Sequence, residues 1–336
     1  MQGSEPEPEP ECLAGHVGNL SAEQSAAMEE LRALAAQELA SEEGRALVAL
    51  LRGEDYLLAR YLRGTAFVPA HAHRVLQKML AWRKAQGRFL DDPERIAIWN
   101  RLSPLFTAGY HKHTSAGEVV ELWRIGQIWP AEIVMNYPDG EAEQAFFFHT
   151  ETSLQRQCAL GERLGTAGTA ASVLVLDLQG MGKRHLAPRG LALIAGLFAT
   201  AQKVYVENVS KIYVVNTPKF FEVAFAVIRP VLDKRTVAKI TVLPDSGAAM
   251  LGQMMGGLQH VPAFLQGGTD QTCTIGYPEL GEDDWTATVA AGRGGVHTIV
   301  SATSRSDTRA GLGFPIAMVP LQVPRRAFRL AGGWLH

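Results

Sequence analysis

A glycine-containing turn after an apolar run is the first feature of this chain whose residue types could do chemistry. The stretch SVLVLDLQGMGKRHL, Ser172–Leu186, places a strand-like run before G-x-G-K. A dinucleotide fingerprint requires a third glycine and then a helix N-terminus, but position 185 is histidine. A Walker loop requires serine or threonine after the lysine, and Arg184 follows Lys183. The sequence gives nucleotide binding little support, and a turn with left-handed backbone explains the glycines better.

Two pairs of histidines, His71/His73 and His111/His113, are the candidate metal ligands. A spacing of two places both rings on one face only in a strand, and no acidic or cysteine partner lies nearby in sequence. We interpret them as surface residues. The chain has no G-x-S-x-G nucleophile motif, and no paired-carboxylate or cysteine–histidine signature is evident. The sequence therefore predicts a protein that is not an enzyme and needs no cofactor or metal.

Composition narrows the class of partner and the compartment. The net charge of the 336 residues is −2, which gives no reason to expect nucleic acid. Three scattered cysteines are too few for a disulfide framework and favour a reducing compartment. The start, MQGSEPEPEPE, is unlike a signal peptide, and no apolar run approaches the roughly 18 residues of a membrane span. We expect a cytoplasmic protein that associates only transiently with membrane surfaces.

The first part of the chain reads as a short leader and a helical unit. Residues 1–19 are predicted to be disordered, and residues 20–92 to form a small all-helical subdomain. Ser21 and Gln24 fit a capping box, and apolar residues recur at helical spacing behind it. A second helix, EDYLLARYLR, ends at Gly64, and a third helix follows.

A different pattern begins at about residue 93. GYHKHTSAGEVVELWRIG alternates around a glycine turn and predicts a β-hairpin from Tyr110 to Ile125. Apolar strands then alternate with helices up to the strand AKITVL and the helix GAAMLGQMM. This order predicts an α/β fold, with a mixed, largely parallel sheet covered by helices in residues 93–268.

The most informative segment is KIYVVNTPKFFEVAFAVIRPVLDKRTVAKITVL, Lys211–Leu243. Its central helix is apolar almost all round, with cations near its ends. Periodicity alone favours a buried core helix. The alternative is a helix that packs one face on the protein and offers the other to lipid, with its flanking cations near phospholipid headgroups. The residues themselves leave both interpretations open.

Several segments, in order and at the usual spacing, resemble the CRAL-TRIO lipid-binding family, which includes phosphatidylinositol-transfer and tocopherol-transfer proteins. EDYLLARYLRGTAF and MLAWRKAQG resemble its helical N-terminal subdomain, and GYHKHTSAGEVVELWRIG resembles its first hairpin. VLVLDLQGMGKRHL resembles the central strand and turn. VNTPKFFEVAFAVIRPVLDKRTVAKI is similar to the gating helix and next strand, and PAFLQGG to the end of the domain. The resemblance covers about residues 20–268.

The resemblance implies a sheet roofed by helices that encloses one apolar lipid cavity. The lid would be helix Lys219–Leu232, with Phe220, Phe221, Phe225 and Ile228 as gating residues. The implied function is binding of one phospholipid or other hydrophobic molecule and its exchange with membranes. The alternative is a module that senses lipid without transferring it and regulates a lipid kinase, a GTPase or a trafficking partner. The sequence does not identify a protein partner.

The resemblance also points to a headgroup site. Members that bind phosphatidylinositol use an acidic residue just before the strand leading to the gate, and a threonine and a lysine after the gate. Glu207, Thr236 and Lys239 occupy those positions here. The glutamate can accept hydrogen bonds from inositol hydroxyls, while the threonine and the lysine can bind phosphate. Thr65 and Ala66 stand where such members carry basic residues, which counts against a complete transfer of this site.

Other ligands are less well supported or stay open. Choline-headgroup binders of the family use several hydroxyl side chains. Ser172 and Tyr110 fit that pattern, whereas Leu174 and Glu121 do not. Tocopherol, retinoid or squalene-like ligands are not excluded by any residue considered so far.

Residues 269–336 are rich in glycine, threonine and serine. TATVAAGRGGVHTIV resembles the first strands of the GOLD β-sandwich that follows the lipid domain in some members, and the rest of the tail does not continue the pattern. Because a complete sandwich takes roughly 100 residues, we expect a truncated or degenerate GOLD-like tail.

Overall fold

The computed structural model of the chain describes residues 14–87, 92–137, 140–164 and 171–271. Within these residues a group of helices comes first, followed by a sheet and the helices that cover it. Most of the predicted leader and nearly all of the predicted GOLD-like tail lie outside the described residues. Both therefore stay predictions, as do the predicted domain boundaries.

The N-terminal region is helical, as predicted. Its helices are α1 (Ala22–Leu34), α2 (Ala36–Leu39), α3 (Glu42–Leu50), α4 (Glu54–Gly64) and α5 (Pro69–Gln86). The capping box predicted at the start of α1 is present. The Gln24 amide donates to the Ser21 hydroxyl at 3.2 Å, and the Ser21 amide donates to the Gln24 side chain at 3.0 Å. Two amide groups at the start of the helix thereby gain partners within the chain.

A shared apolar core holds these helices to the rest of the described chain. Leu31 of α1, Leu57 and Leu62 of α4, and Leu76 of α5 have no exposed surface. Burial of one leucine side chain contributes about 1.5–3 kcal/mol, so packing rather than helix length stabilises the region. The same cluster continues onto one face of the sheet, where it includes Leu174. The helical region and the sheet therefore share a core.

The sheet has five strands within the described residues. They are β1 (Ala108–His113), β2 (Val119–Arg124), β3 (Ser172–Asp177), β4 (Val209–Val215) and β5 (Ile240–Val242). They lie in the order β1-β2-β3-β4-β5. β1 and β2 form the predicted antiparallel hairpin, and the other neighbours are parallel. The predicted mixed, largely parallel sheet is confirmed.

Helices connect and cover the strands, because parallel neighbours require long crossovers. They are α6 (Pro93–Leu102) before β1, α7 (Pro130–Asn136) and α8 (Glu141–Leu164) between β2 and β3, α9 (Pro188–Val204) between β3 and β4, α10 (Phe221–Ile228) and α11 (Lys234–Ala238) between β4 and β5, and α12 (Ala248–Met255) after β5. In the part of the chain that the structure describes, no helix combines the length and apolar character needed to cross a membrane.

The two faces of the sheet pack against different helices. On one face, Val173 and Val175 of β3 belong to a cluster with Leu251 and Met255 of α12. On the other face, Leu174 belongs to the cluster that contains residues of α8 and α9. β3 is thus covered on both sides, as its continuous apolar sequence predicts.

The strand register aligns one residue from each strand on the face that packs against α8 and α9. Tyr110, Glu121, Leu174, Ile212 and Ile240 are successive cross-strand partners, and we call them the floor row. Directly opposite residues on one face have adjacent side chains. The row is polar and buried at the β1–β2 end, and apolar and half-buried at the β4–β5 end.

Candidate functional site

The loop between α9 and β4 carries Glu207 and is held by the N-terminal helical region. Arg60 of α4 is buried; its Nε donates to the carbonyl of Val206 at 2.7 Å, and a terminal nitrogen donates to the carbonyl of Glu207 at 3.0 Å. Glu207 itself has φ of 53°, in the left-handed region that few non-glycine residues adopt. A side chain at Gly64 would overlap Val206. The close approach of α4 therefore supports an unusual backbone conformation at the candidate headgroup residue.

The structure brings Glu207 and Lys239 together, as predicted. Lys239 Nζ lies 3.4 Å from one carboxylate oxygen of Glu207 and donates to the carbonyl of Val209 at 2.7 Å. Thr236 lies in α11, half-buried, and its amide donates to the Asp233 carboxylate at 2.7 Å, which caps this helix. The geometry thus confirms the proximity of Glu207 and Lys239. The roles of the three residues toward a lipid headgroup stay predictions.

Arg235 is a member of this cluster that the sequence analysis missed. Its guanidinium donates to the second carboxylate oxygen of Glu207 at 2.8 Å. Burial lowers the pKa of Arg63 to about 10, and the nearby positive charges of Arg60 and Arg235 act in the same direction. Several cations thus surround one carboxylate. In the sequence, Arg235 was one of the cations near the end of the apolar helix, and nothing related it to Glu207.

The predicted gating helix is shorter than expected. The α-helix covers Phe221–Ile228, and a 3-10 turn follows at Arg229–Val231. Pro230 explains the change, because proline has no amide to donate and cannot continue an α-helix without strain. Phe220 precedes the helix as its N-cap.

The side chains of α10 divide between a half-buried and an exposed face. The rings of Phe221 and Phe225 stack with centroids 5.5 Å apart, and both residues are half-buried, like Phe220 and Ile228. On the exposed face, Val223 and Val227 keep 60% and 48% of their surface in contact with solvent. The helix is therefore not a fully buried core helix, and it packs one face on the protein as the second interpretation requires. That its other face contacts lipid stays a prediction.

The end of this gate segment is attached to α9 by one glutamine. Gln202 donates to the carbonyl of Val231 at 2.6 Å and accepts from the amide of Asp233 at 2.9 Å. α10 and the 3-10 turn after it pack against α9. The sequence analysis missed this contact, because an amide side chain on an apolar helix carries no signature of its partner.

Ser172 and Tyr110, the candidate choline-site residues, are both buried and already engaged within the protein. The Ser172 hydroxyl donates to the carbonyl of Asn208 at 3.3 Å, and the Tyr110 hydroxyl donates to the carbonyl of His149 at 2.8 Å. The structure therefore places both residues inside the core. Tyr110 lies at the β1–β2 end of the floor row, and Ser172 lies near the Glu207 loop.

A buried polar cluster surrounds Glu121 in the floor row. Its carboxylate accepts hydrogen bonds from His149 at 2.7 Å, from the Trp123 indole at 2.9 Å, and from the Ser153 hydroxyl at 2.8 Å. Burial alone would raise the pKa of the Glu121 carboxyl, but these hydrogen bonds outweigh burial and hold the pKa below its usual range. Sequence reasoning missed the cluster, because 28 residues separate Glu121 from His149.

The interpretation of both histidine pairs as surface residues is wrong for His111. Its ring is buried and contacts the carbonyl of His260 at 2.8 Å, because β1 is covered by the segment after α12. His71 is exposed, as expected, and His113 is half-buried. Among the described residues, no group of three or more histidine, cysteine, aspartate or glutamate side chains is arranged to hold a metal ion.

A small cleft of about 10 Å³ lies between the helical region and the Glu207 loop, and Arg60, Met79, Leu154 and Val206 are among its lining residues. Ligand pockets commonly measure roughly 300–1,000 Å³, so this cleft is too small for a diacyl lipid. It also lies away from α10, and the cavity predicted beneath the gate stays a prediction.

Comparison with known proteins gives the family. Residues 105–267 match the family described as the CRAL/TRIO domain. The CRAL-TRIO domain-containing protein T23G5.2 of Caenorhabditis elegans is 26% identical over 227 residues, which cover 66% of this chain and 31% of that protein. The SEC14 cytosolic factor of Eremothecium gossypii is 27% identical over 238 residues, with 70% and 73% coverage. The phosphatidylinositol/phosphatidylcholine transfer protein SFH13 of Arabidopsis thaliana is 24% identical over 220 residues, with 64% and 34% coverage.

The fold and the matched residues define a helix-covered α/β domain. Residues 105–267 of this chain match the CRAL-TRIO domain, in agreement with the resemblance found in the sequence. It spans only about a third of the length of two of the three relatives, at 31% and 34%.

Proposed function

We propose that this domain binds one phospholipid or similar hydrophobic molecule between the floor row and α10, and exchanges it with membranes when α10 moves. The observation that carries the proposal is the incomplete cover of the floor at its apolar end. Ile212 and Ile240 are half-buried, although both lie on the face that the helices cover. α10 packs against α9, so an acyl chain placed under it would complete the burial of these side chains.

The energetics favour a carrier with a lid. A buried methylene contributes about 0.8 kcal/mol relative to water, whether it lies in a bilayer or in a protein cavity. Moving a lipid from one to the other therefore changes the free energy little, and the barrier is exposure of the acyl chains in transit. A mobile apolar helix at the opening lowers that barrier, because its side chains replace water along the path.

The surface of α10 suits contact with a membrane. Val223 and Val227 form its exposed apolar face, and Lys219, Arg229 and Lys234 are exposed beside it. Apolar side chains enter the headgroup boundary, while basic side chains are attracted to anionic lipids. Phe220, Phe221, Phe225 and Ile228, on the half-buried side, would contact the bound molecule.

A lipid with a hydroxyl-rich headgroup fits the cluster at Glu207. The carboxylate can accept hydrogen bonds from inositol hydroxyls, and Lys239 and Thr236 can bind the phosphate. Thr65 and Ala66 stand where phosphatidylinositol-binding members carry basic residues. Arg235 instead supplies a basic group close to Glu207. We propose phosphatidylinositol as the ligand on this basis; the name of the relative SFH13 includes this lipid together with phosphatidylcholine.

The names of the relatives support the remaining parts of the proposal. One is named a transfer protein, which favours a carrier over an enzyme, and another is named a cytosolic factor. We therefore propose a cytoplasmic protein with transient peripheral membrane association.

Transfer between vesicles tests the proposal directly. Donor vesicles with labelled phosphatidylinositol and unlabelled acceptor vesicles are mixed with the purified chain, and transfer is followed with time. We expect transfer above the spontaneous rate. Binding without transfer would instead favour a lipid-sensing module, and absence of binding would refute the proposal.

Substitution of Lys239 by alanine tests the headgroup site. A hydrogen bond to a charged group contributes about 1.5–3 kcal/mol, so Lys239→Ala should weaken phosphatidylinositol binding roughly ten- to hundredfold. Lys211→Ala is the matched control, because Lys211 is exposed and alternates in β4 with Ile212 of the floor row. Equal effects of the two substitutions would show that Lys239 has no special role toward this lipid.

A further inference from the structure

His149 of α8 occupies the centre of a group of aromatic rings. It has no exposed surface. The Tyr110 ring lies parallel to the imidazole with centroids 5.0 Å apart, the Trp99 ring is inclined by 29° at 5.7 Å, and the Trp123 ring is nearly perpendicular at 5.2 Å. Phe106 adds a further ring at 6.2 Å. The imidazole is thus enclosed by aromatic side chains from α6, β1, β2 and the segment before β1.

A carboxylate completes this enclosure. Glu121 accepts a hydrogen bond from His149 Nε2 at 2.7 Å, and the indole of Trp123 holds the same oxygen at 2.9 Å. The other carboxylate oxygen is held by Ser153 at 2.8 Å. The carboxylate is therefore fixed in position, with its charge directed at the imidazole.

Aromatic faces combined with a negative charge form the environment that binds quaternary ammonium groups, since the ring quadrupoles and the carboxylate both attract a poorly hydrated cation. Here the protein's own imidazole fills the space between the rings. The enclosure lies at the β1–β2 end of the floor row, to which Tyr110 and Glu121 both belong. It is therefore next to Leu174 of the same row.

We propose that His149 is a specificity-determining residue that closes this end of the pocket to choline-type headgroups by occupying the place of their quaternary ammonium. The proposal rests on the proposed function, because it assigns selectivity to the same pocket. The opposite end of the pocket reinforces the selectivity. Arg235 and Lys239 both contact Glu207 there, so a choline headgroup placed at that end would bring its ammonium group next to two positive charges.

A competition experiment tests the assignment. The purified full-length chain is incubated with vesicles that contain equal amounts of phosphatidylinositol and phosphatidylcholine, then separated from them, and bound lipid is quantified by native mass spectrometry. We expect the unsubstituted chain to hold phosphatidylinositol in at least roughly tenfold excess, a factor that a single cation–aromatic site can supply. Equal loading of the two lipids would overturn the assignment and leave the proposed function intact. A chain that holds neither lipid would refute the proposed function.

Substitution of His149 in the same competition experiment is the second part of the test. His149→Ala empties the enclosure and should raise bound phosphatidylcholine about tenfold relative to phosphatidylinositol. His149→Gln keeps most of the space filled and should give no gain. The double variant His149→Ala with Glu121→Gln keeps the space but loses the charge, and should lose most of the gain. A folded His149→Ala chain without increased phosphatidylcholine would overturn the assignment. If this variant does not fold, His149→Ser takes its place, with the same expected gain and the same contradicting result.

Discussion

At the scale of single residues, Arg60 shows how a side chain distant in sequence positions a candidate binding group. It lies in the helical region, yet its guanidinium donates to two carbonyls of the loop that carries Glu207. Burial lowers the pKa of Arg60, and a cation is retained there because its donors meet fixed carbonyl oxygens. One of these carbonyls belongs to Glu207 itself, whose backbone is left-handed. The headgroup cluster is therefore a property of both regions of the domain.

Removal of the Arg60 guanidinium should destabilise the domain. Arg60→Ala removes both donors from the carbonyls of Val206 and Glu207 in this half-buried loop, and a buried group left unsatisfied costs about 1–3 kcal/mol. We expect a loss of about 2–4 kcal/mol in the free energy of unfolding, measured by urea denaturation. Arg74→Ala on the exposed side of α5 is the control and should change it by less than about 0.5 kcal/mol. Similar values for both variants would contradict a supporting role for Arg60.

At the scale of elements, the segment that follows α10 is hydrogen-bonded to α9, whereas one face of α10 itself is exposed to solvent. Gln202 holds the segment that follows the helix, while the exposed valines contact no other part of the described chain closely enough to bury them. This combination suits a helix that swings about one end. In the proposed function, the attachment limits release of the lid and the apolar surface provides contact with the membrane, and two substitutions separate these steps.

Removal of the exposed apolar surface should slow transfer without unfolding the protein. Val227→Asp places a charge where α10 would contact acyl chains, and a charge costs about 2.5–3.5 kcal/mol at the bilayer centre. We expect slower vesicle-to-vesicle transfer and a melting temperature close to that of the unsubstituted chain. Val68→Asp is the matched control, because Val68 is equally exposed, at 50%, but belongs to the helical region. If Val227→Asp leaves transfer unchanged, α10 does not contact the membrane through this face.

Loss of the Gln202 attachment should have the opposite effect. Gln202→Ala removes both hydrogen bonds to the segment after α10, each contributing about 0.5–1.5 kcal/mol to the closed position. We expect faster release of bound lipid, measured by stopped-flow dequenching of a fluorescent phosphatidylinositol. Gln253→Ala on the exposed side of α12 should leave the rate unchanged. A release rate that is the same in both variants would show that the attachment does not limit opening.

At the scale of the whole molecule, the edge strand β1 is joined to the last described residues of the domain. His111 contacts the carbonyl of His260 at 2.8 Å, and its ring lies 3.5 Å from the carboxylate of Asp270. Lys112 of the same strand also pairs with Asp270. The segment after α12 therefore closes over the sheet edge through a small group of titratable side chains, which links the stability of the domain to pH.

The pH dependence follows from His111. Burial lowers its pKa, and Lys112 and His260 act in the same direction, against the opposing effects of the His260 carbonyl and Asp270. The unfolded chain then binds the proton more readily than the folded one, so stability is lost as pH falls below about 6.5. We expect a lower free energy of unfolding at pH 5.5 than at pH 7.5. His111→Gln should reduce the difference, whereas His71→Gln at an exposed position should not. An unchanged difference in His111→Gln would exclude this histidine as the cause.

The sequence by itself determined the order of elements and the resemblance of this chain to the CRAL-TRIO domain. Alternating and helical periodicities depend on neighbours within a few positions, so the hairpin, the buried strand β3 and the capping box at Ser21 could be predicted without a structure. The proximity of Glu207 and Lys239 also followed, because a strand–helix–strand connection returns the chain to the adjacent strand. These features depend either on residues a few positions apart or on one strand–helix–strand connection, and both can be recognised in the sequence.

Only the tertiary structure decided which side chains meet across the domain. Arg60 with the Glu207 loop, Arg235 with Glu207, and Gln202 with the end of the gate join residues that no periodicity relates. The burial of His111 and the enclosure of His149 have the same origin. Hydrogen bonds and aromatic contacts require distances of a few ångströms. Such distances are set by how the helices pack on the sheet, and not by the spacing of residues along the chain.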